Sequence, residues 1–334
     1  MTFMARRKIA IVQAVPGSMP SGGNVFNREL FDHAARAGWP LAIVDPSHTS
    51  APSSWDLLVW DSLLLDRVQR LAHERIGLLL HYLPSLDPGL DRARASGLHA
   101  AEDRAVLLAD CYIVTGREIA ATIAARWPGK RLFVCEPGVG AAFKRRPPRS
   151  VGRSISLLTV ANLFPAKGHE GALQVLERLQ DEPWHWHLVG QAGDGDIAGR
   201  LRAQAERKGL IERITFHGVQ SQPQVAARMA AADLLLQPSL FESYGMALAE
   251  AAAVGLPALA FRVGAAERIV RHGTTGFVAP AEDWRAFGDY LRALIADPAL
   301  RATFERNLAG EPVRGWEATF VDFRAACESM LAEA

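Results

Sequence analysis

The feature that most constrains this chain is an alternation that runs its whole length. Short β-branched or leucine-rich runs are each followed by a longer segment rich in Ala, Arg and Glu. Strands buried on both faces of a parallel sheet read as continuous apolar runs, with helices between them, so the pattern predicts βαβ units and an α/β fold. In the first half the expected strands are Lys8 to Ala14, Leu41 to Val44, Leu57 to Trp60, Gly77 to Leu80, Cys111 to Val114 and Leu132 to Cys135. A stretch from Pro137 to Arg153, rich in Pro, Gly and Arg and without period, reads as a linker. The alternation then restarts, with strands expected at Ile155 to Val160, His185 to Val189, Ile214 to Phe216, Leu234 to Gln237 and Ala258 to Phe261. A chain of 334 residues accommodates two such domains. The expected division is 1–148 and 149–312, followed by an amphipathic segment, 313–334, that crosses back to the first domain after the break from Gly310 to Gly315.

Charge narrows the function. Lys and Arg number 37 against 36 Asp and Glu, a formal charge of +1, so bulk electrostatics points to neither nucleic acid nor an anionic membrane. Any anionic ligand must be met locally. No stretch approaches the ~20 apolar residues of a membrane span; no transmembrane segment is expected, and membrane contact, if any, is peripheral. The odd set Cys111, Cys135 and Cys327 lacks metal or redox spacing and reads as buried thiols in a reducing compartment. Arg6-Arg7-Lys8 followed by IAIVQAV imitates a secretory leader, but the apolar run is short and breaks at Pro16-Gly17, which suits a buried first strand. A cytoplasmic location follows as the expectation.

Three places concentrate chemistry. After the first strand, VPGSMPSGGNVFNREL sets Gly22-Gly23 before a helix that Asn24 can cap, and glycines there let backbone amides approach an anion. Glycine at a strand-to-helix turn also serves packing alone. At the start of the second domain, LLTVANLFPAKGHEGALQVL puts Lys167-Gly168 between a strand and a helix, where a cation and helix-end amides can meet a diphosphate; a solvated lysine beside a helix-start glycine is the plain alternative. The third, LLLQPSLFESYGMALAEAAAVGLPALA, carries Glu242 on the loop and Glu250 eight residues later in the helix. Glu242 can accept hydrogen bonds from sugar hydroxyls while the amides of Gly245 and Met246 face a phosphate, and Glu250 can accept the hydroxyls of a ribose. Each glutamate taken singly is also explained as a helix cap or an exposed helix charge, though an acidic residue inside MALAEAAAVGL is hard to account for that way.

In this combination the sequence resembles the retaining glycosyltransferases of the GT-B fold, in particular family 4, over most of the chain. The resemblance rests on Gly22-Gly23, on Lys167-Gly168, on PSLFESYGMALAE with Glu242 and Glu250, and on VGAAERIVRHGTTGFVAP from Val263. It rests also on EDRAVLLADCYIVTG from Glu102 and CEPGV before the linker. It implies two Rossmann-like domains facing across a cleft, with a nucleoside-diphosphate sugar (UDP- or GDP-sugar) as donor and co-substrate. An acceptor of unknown identity, small molecule, saccharide or lipid-linked, would be read by the first domain. Glu242, Lys167 and His81 are then the candidate catalytic residues. Donor binding falls to Gly22, Gly23, Asn162, Lys167, Val219, Glu242, Ser243, Tyr244, Gly245, Met246 and Glu250, with backbone groups around Val219 in FHGVQ meeting the base. A histidine ending an apolar strand, as His81 does in GLLLHYLP, is otherwise an ordinary packed residue.

Two departures from the family stand out: Ala161-Asn162 replaces the usual Gly-Arg, removing one diphosphate cation, and Tyr244 replaces a phenylalanine. The resemblance implies front-face displacement with retention of configuration, with neither metal nor further cofactor. Asp194-Gly195-Asp196 reads as loop chemistry, and His185 and His187 read as strand residues, two steps apart on one face, short of a metal set without a third ligand. Arg145, Arg146 and Arg149 read as a solvated linker run or as a contact for an acidic surface. A silent nucleotide-sugar-binding protein and a nucleotide-sugar hydrolase or epimerase are the alternative functions. A nicotinamide dehydrogenase is disfavoured because neither domain opens with GxGxxG.

Overall fold

A computed structural model of the protein describes residues 7–13, 21–46, 55–68, 75–147, 154–192 and 196–332. Its strands make two separate six-stranded parallel sheets, as the alternation predicts. The first comprises β1 (Ile9–Val12), β2 (Leu41–Val44), β3 (Leu57–Asp61), β4 (Arg75–Leu80), β5 (Cys111–Val114) and β6 (Leu132–Val134), in the order β2-β1-β3-β4-β5-β6. The second comprises β7 (Ile155–Val160), β8 (Trp184–Val189), β9 (Ile214–Phe216), β10 (Leu234–Gln237), β11 (Ala258–Phe261) and β12 (Gly276–Ala279), in the order β12-β11-β10-β7-β8-β9. Strand β12 was not expected: GFVA is four residues long and opens on glycine, and it is held by parallel pairing with β11, Gly276 opposite Ala258.

The chain divides into two units, 1–138 with 314–334, and 139–313. In the first, α1 (Gly22–Arg36), α2 (Arg92–Leu108), α3 (Arg117–Arg126) and α11 (Trp316–Ala332) surround the sheet. Helix α1 starts differently from the sequence expectation. Ser21, not Asn24, is the N-cap, and its Oγ accepts the Asn24 amide at 3.1 Å, the preferred geometry for a serine cap. Helix α11 lies against α1: Trp316 meets Phe26 edge-on at 5.7 Å between ring centroids, and Phe320 meets Trp39 at 5.8 Å.

In the second unit, α4 (His169–Glu177), α5 (Ile197–Arg207), α9 (Trp284–Ala296) and α10 (Pro298–Leu308) accompany α6 (Gln222–Ala231), α7 (Met246–Val254) and α8 (Ala266–Ile269). Two buried clusters occupy the two faces of the sheet. One centres on Trp184, Trp186, Phe261 and Phe287, the other on Leu158, Val189, Leu235 and Val254. Alternation along β8 produces the split, since Trp184 and Trp186 are buried while His185 and His187 turn the other way and are half-buried. Residues 139–147, read from sequence as the end of the first domain, group with the second unit. Phe143 is buried in its core, and Arg146 is buried, bonding Glu305 at 3.0 Å and the Ala232 carbonyl while its own amide donates to Val254 O. An acidic partner surface for Arg146 is thereby overturned; Arg145 donates to the Leu308 carbonyl, and Arg149 lies outside the described residues.

Candidate functional site

In an open α/β sheet, a crevice forms beyond the carboxyl ends of two adjacent strands whose following connections leave in opposite directions. The second unit has that point between β7 and β10, because β7 leads to β8 on one side and β10 leads to β11 on the other. The two loops that leave there carry the two strongest sequence motifs. After β7 the chain makes a 3-10 turn, Pro165–Lys167, and enters α4 through Gly168 at φ +68°. After β10 it passes Pro238 and Ser239 to Glu242 and enters α7 through Gly245 at φ +96°. A backbone bond from Leu240 N to Ala166 O, 2.8 Å, laces the loops together.

That lacing brings Lys167 and Glu242, 75 residues apart in sequence, into an ion pair with Nζ to Oε1 at 2.6 Å. The Gln237 amide donates to the same oxygen at 2.9 Å, so both protein donors use Oε1. Ser243 and Met246 are half-buried and Tyr244 and Gly245 buried beside it, with Arg268 over the Tyr244 ring at 5.6 Å. No side chain caps α7, and the amides of a helix's first turn have no intrahelical acceptor, which suits an anion.

Glu250 is buried in the second turn of α7. Burial pushes its carboxyl up to about 8, with a hydrogen bond from the Gln222 side chain pulling the other way, so near neutral pH it is largely protonated and can donate as well as accept. Asn162, read as a donor contact, spends its Oδ1 on the Gln191 amide at 2.9 Å and ties the loop after β7 to that after β8. Val219 follows β9 and is 51% exposed. His169, missed in sequence, is buried beside Trp186 with neither ring nitrogen hydrogen-bonded; burial first and the Lys167 charge second push it down to about 4, so it stays neutral.

The first unit has its own crossover point, between β1 and β3. His81, at the end of β4, lies beside it with Gly23: a β-carbon on Gly23 would come within 3.1 Å of His81 Cδ2. Sequence reasoning missed the group behind the imidazole. His81 Nε2 lies 3.3 Å from Asp61 Oδ2 and 3.2 Å from Asn27 Oδ1, while Asn27 Nδ2 donates to Asp61 Oδ2 at 2.8 Å and to Gln13 Oε1 at 2.7 Å. All four residues are buried. Burial raises the Asp61 pKa, but the His81 charge and the hydrogen bonds from His81, the Leu63 amide and Asn27 outweigh it and hold the carboxyl below the ordinary carboxylate range. Gly22 is the first residue of α1.

The remaining sequence candidates stay apart from these groups. Asp196 caps α5 through the Gly199 amide, and Asp194 and Gly195 lie outside the described residues. His185 pairs with Thr215 at 2.8 Å, and His187 with His217 at 3.1 Å.

Comparison with known proteins gives the family and the fold. A D-inositol 3-phosphate glycosyltransferase of Xylanimonas cellulosilytica is 28% identical over 251 residues, which cover 70% of this chain and 60% of that protein, so the chain spans about three fifths of the relative's length. A solved sucrose-phosphate synthase from Thermosynechococcus elongatus superposes with a TM-score of 0.84 at 19% identity, covering 98% of this chain and 100% of that one. Anabaena HepE, solved in complex with UDP and glucose, gives 0.77 at 19% identity, covering 97% and 100%. These structures share the fold. The sequence model of the family described as Glycosyl transferases group 1 matches residues 142–309, half of the chain and nearly all of the unit that holds Lys167, Glu242 and Glu250, and the chain belongs to that family.

Proposed function

We propose that the protein is a retaining hexosyltransferase that moves a sugar from a nucleoside-diphosphate donor to an acceptor hydroxyl without a metal. The observation that carries this reading is the convergence of Lys167 and Glu242 at the crossover of the second sheet, beside the uncapped start of α7. Without ligand the two side chains neutralise each other. With donor bound, the ammonium turns to the diphosphate and leaves the carboxylate to accept from sugar hydroxyls. Glu250 meets the ribose and the backbone at Val219 the base. As the glycosidic bond breaks, its electrons go to the leaving phosphate oxygen, whose charge is met by Lys167 and the α7 amides; such preorganised donors are worth ~10²–10³ in rate each. The acceptor oxygen attacks from the same face and gives its proton to the departing phosphate, so configuration is kept.

A uridine donor is favoured because HepE is solved with UDP and glucose; GDP-sugars are the other class to test. The curated relative is named a D-inositol 3-phosphate glycosyltransferase, which supports a polyhydroxylated acceptor here. No helix among the described residues is long and apolar enough to cross a membrane, and the buried cysteines, none in a disulfide, suit a reducing compartment such as the cytoplasm.

The test is a donor screen by thermal stabilisation, where ligand at 100 times its dissociation constant adds ~2.7 kcal/mol, followed by turnover assays. Glu242→Gln is expected to abolish transfer while keeping the fold. Tight nucleotide-sugar binding with no transfer to any polyol, saccharide or lipid-linked acceptor would refute the enzyme and leave a binding protein.

A further inference from the structure

Glu242 is held twice, by one charged partner and one neutral one. Lys167 Nζ lies 2.6 Å from Oε1, and Gln237 Nε2 donates to the same atom at 2.9 Å; a carboxylate can only accept, so the Gln237 group facing it is the NH₂. Oε2 has no partner among the described residues and is not one of the enclosed polar atoms, which leaves it open to a ligand. The backbone beneath the side chain is fixed from a third loop, the one after β11. A β-carbon at Gly264, whose φ is +52°, would come within 2.7 Å of the Glu242 carbonyl oxygen, and Ala265 N donates to Tyr244 O at 3.2 Å. What is left to order is the glutamate side chain itself, which loses rotamer freedom when it is held.

The two anchors differ in how they answer a phosphate. If Lys167 turns to a diphosphate, the carboxylate loses its charged bond at the moment a sugar has to be gripped. Gln237 carries no charge to be drawn away. It ends β10, pairs there with Ala260 of β11 and is only 5% exposed, and a β-carbon at Gly245 would stand 4.0 Å from its Nε2, at the start of α7.

We propose that Gln237 is a positioning residue for the donor sugar: it keeps Oε1 of Glu242 in place once Lys167 leaves, so that Oε2 stays presented to the sugar hydroxyls. The inference deepens the transferase reading and rests on it for the ligand, but the hold of Gln237 on Glu242 is measurable without one. A neutral amide suits this task, because it binds the carboxylate without competing for the phosphate. Gln237 therefore acts on the sugar half of the donor and not on the nucleotide half.

The first arm is free of ligand and uses Lys167→Ala, which removes the ammonium without supplying a phosphate. In ¹⁵N-labelled protein the side-chain NH₂ of Gln237, assigned by its disappearance in Gln237→Met, is expected to stay away from the position of a solvated glutamine amide in Lys167→Ala and to move there in Glu242→Ala. Movement to the solvated position already in Lys167→Ala overturns the proposal. The second arm uses Gln237→Met, close in volume and without a donor. Its kcat/KM for the nucleotide sugar that the donor screen selects is expected to fall about 10- to 100-fold, the span of a hydrogen bond to a charged group, while the Kd of the matching free UDP or GDP stays that of the parent. A merely structural role would disturb the loop and the start of α7 and weaken both alike, so an equal loss overturns the proposal. In a Glu242→Ala background, followed by the Kd of the nucleotide sugar, Gln237→Met is expected to add nothing further; a full additional loss would show that Gln237 acts otherwise than through Glu242. Should the parent turn over no nucleotide sugar, the transferase reading fails, while the amide signal still decides whether Gln237 holds Glu242 alone.

Discussion

Gly168 packs so closely on Pro238 that a β-carbon at residue 168 would overlap the proline's carbonyl oxygen. This contact, with the left-handed φ of +68°, is what lets the loop after β7 lie against the loop after β10. Gly168→Ala is expected to cost about 2–4 kcal/mol, the sum of an unfavourable backbone conformation and an overpacked contact, and to part Lys167 from Glu242. Urea unfolding measures the first and donor affinity the second; a variant as stable as the parent would show that the loops can separate freely.

Lys167→Ala is expected to lower kcat by ~10²–10³ with the fold intact, since the side chain is the cation nearest Glu242 in this site. Steady-state kinetics with circular dichroism decides it. A change confined to donor KM would mean that Lys167 holds the ground state and transition state equally.

Glu250 makes stability depend on pH. Its folded pKa of about 8 lies above the ordinary glutamate value of 4.5, so the folded state binds the proton more tightly and the unfolded state gives it up first. The stabilisation is complete below about pH 4.5 and is lost as pH rises toward and through 8. Relative to Glu250→Gln, the parent is expected to lose on the order of 3 kcal/mol between pH 5 and 9. Denaturation curves of both proteins across that range check the sign; parallel curves would mean that the carboxyl is ionised throughout.

Arg146→Ala is expected to destabilise the second unit by about 2 kcal/mol, because it removes the buried guanidinium that donates to Glu305 and the Ala232 carbonyl. The half-exposed Glu305 keeps the figure below that of a fully buried pair. Arg145→Ala, at a more exposed linker position, is expected to cost less. Equal effects would mean that the linker contributes only charge.

Much of the fold was legible because burial on both faces leaves strands such as IAIV and ALAF as unbroken apolar runs. The exception, β12, opens on glycine directly after the turn residues HGTT and is held by parallel pairing with β11. Lys167 and Glu242 were visible as separate candidates, since a lysine-glycine step and a carboxylate before a helix each have local meaning. Their direct pairing was not, because it comes from strand order. Asp61, Asn27 and Gln13 carried almost no local signal: adjacency of β1 and β3, with α1 beside them, assembles them around His81. One clue existed, for Asn27 lies four residues after Gly23 on the same face of α1.

The return of α11 to the first unit gives synthesis an unusual order. Residues 314–332 leave the ribosome only after all of 139–313, yet Thr319 bonds the Glu136 carbonyl and Met330 packs at Gly77. The amino-terminal half of the chain must therefore wait, with part of its apolar surface uncovered, while the later half can already close its own core. A nascent chain stopped at residue 313 would have one finished unit and one still lacking its final helix.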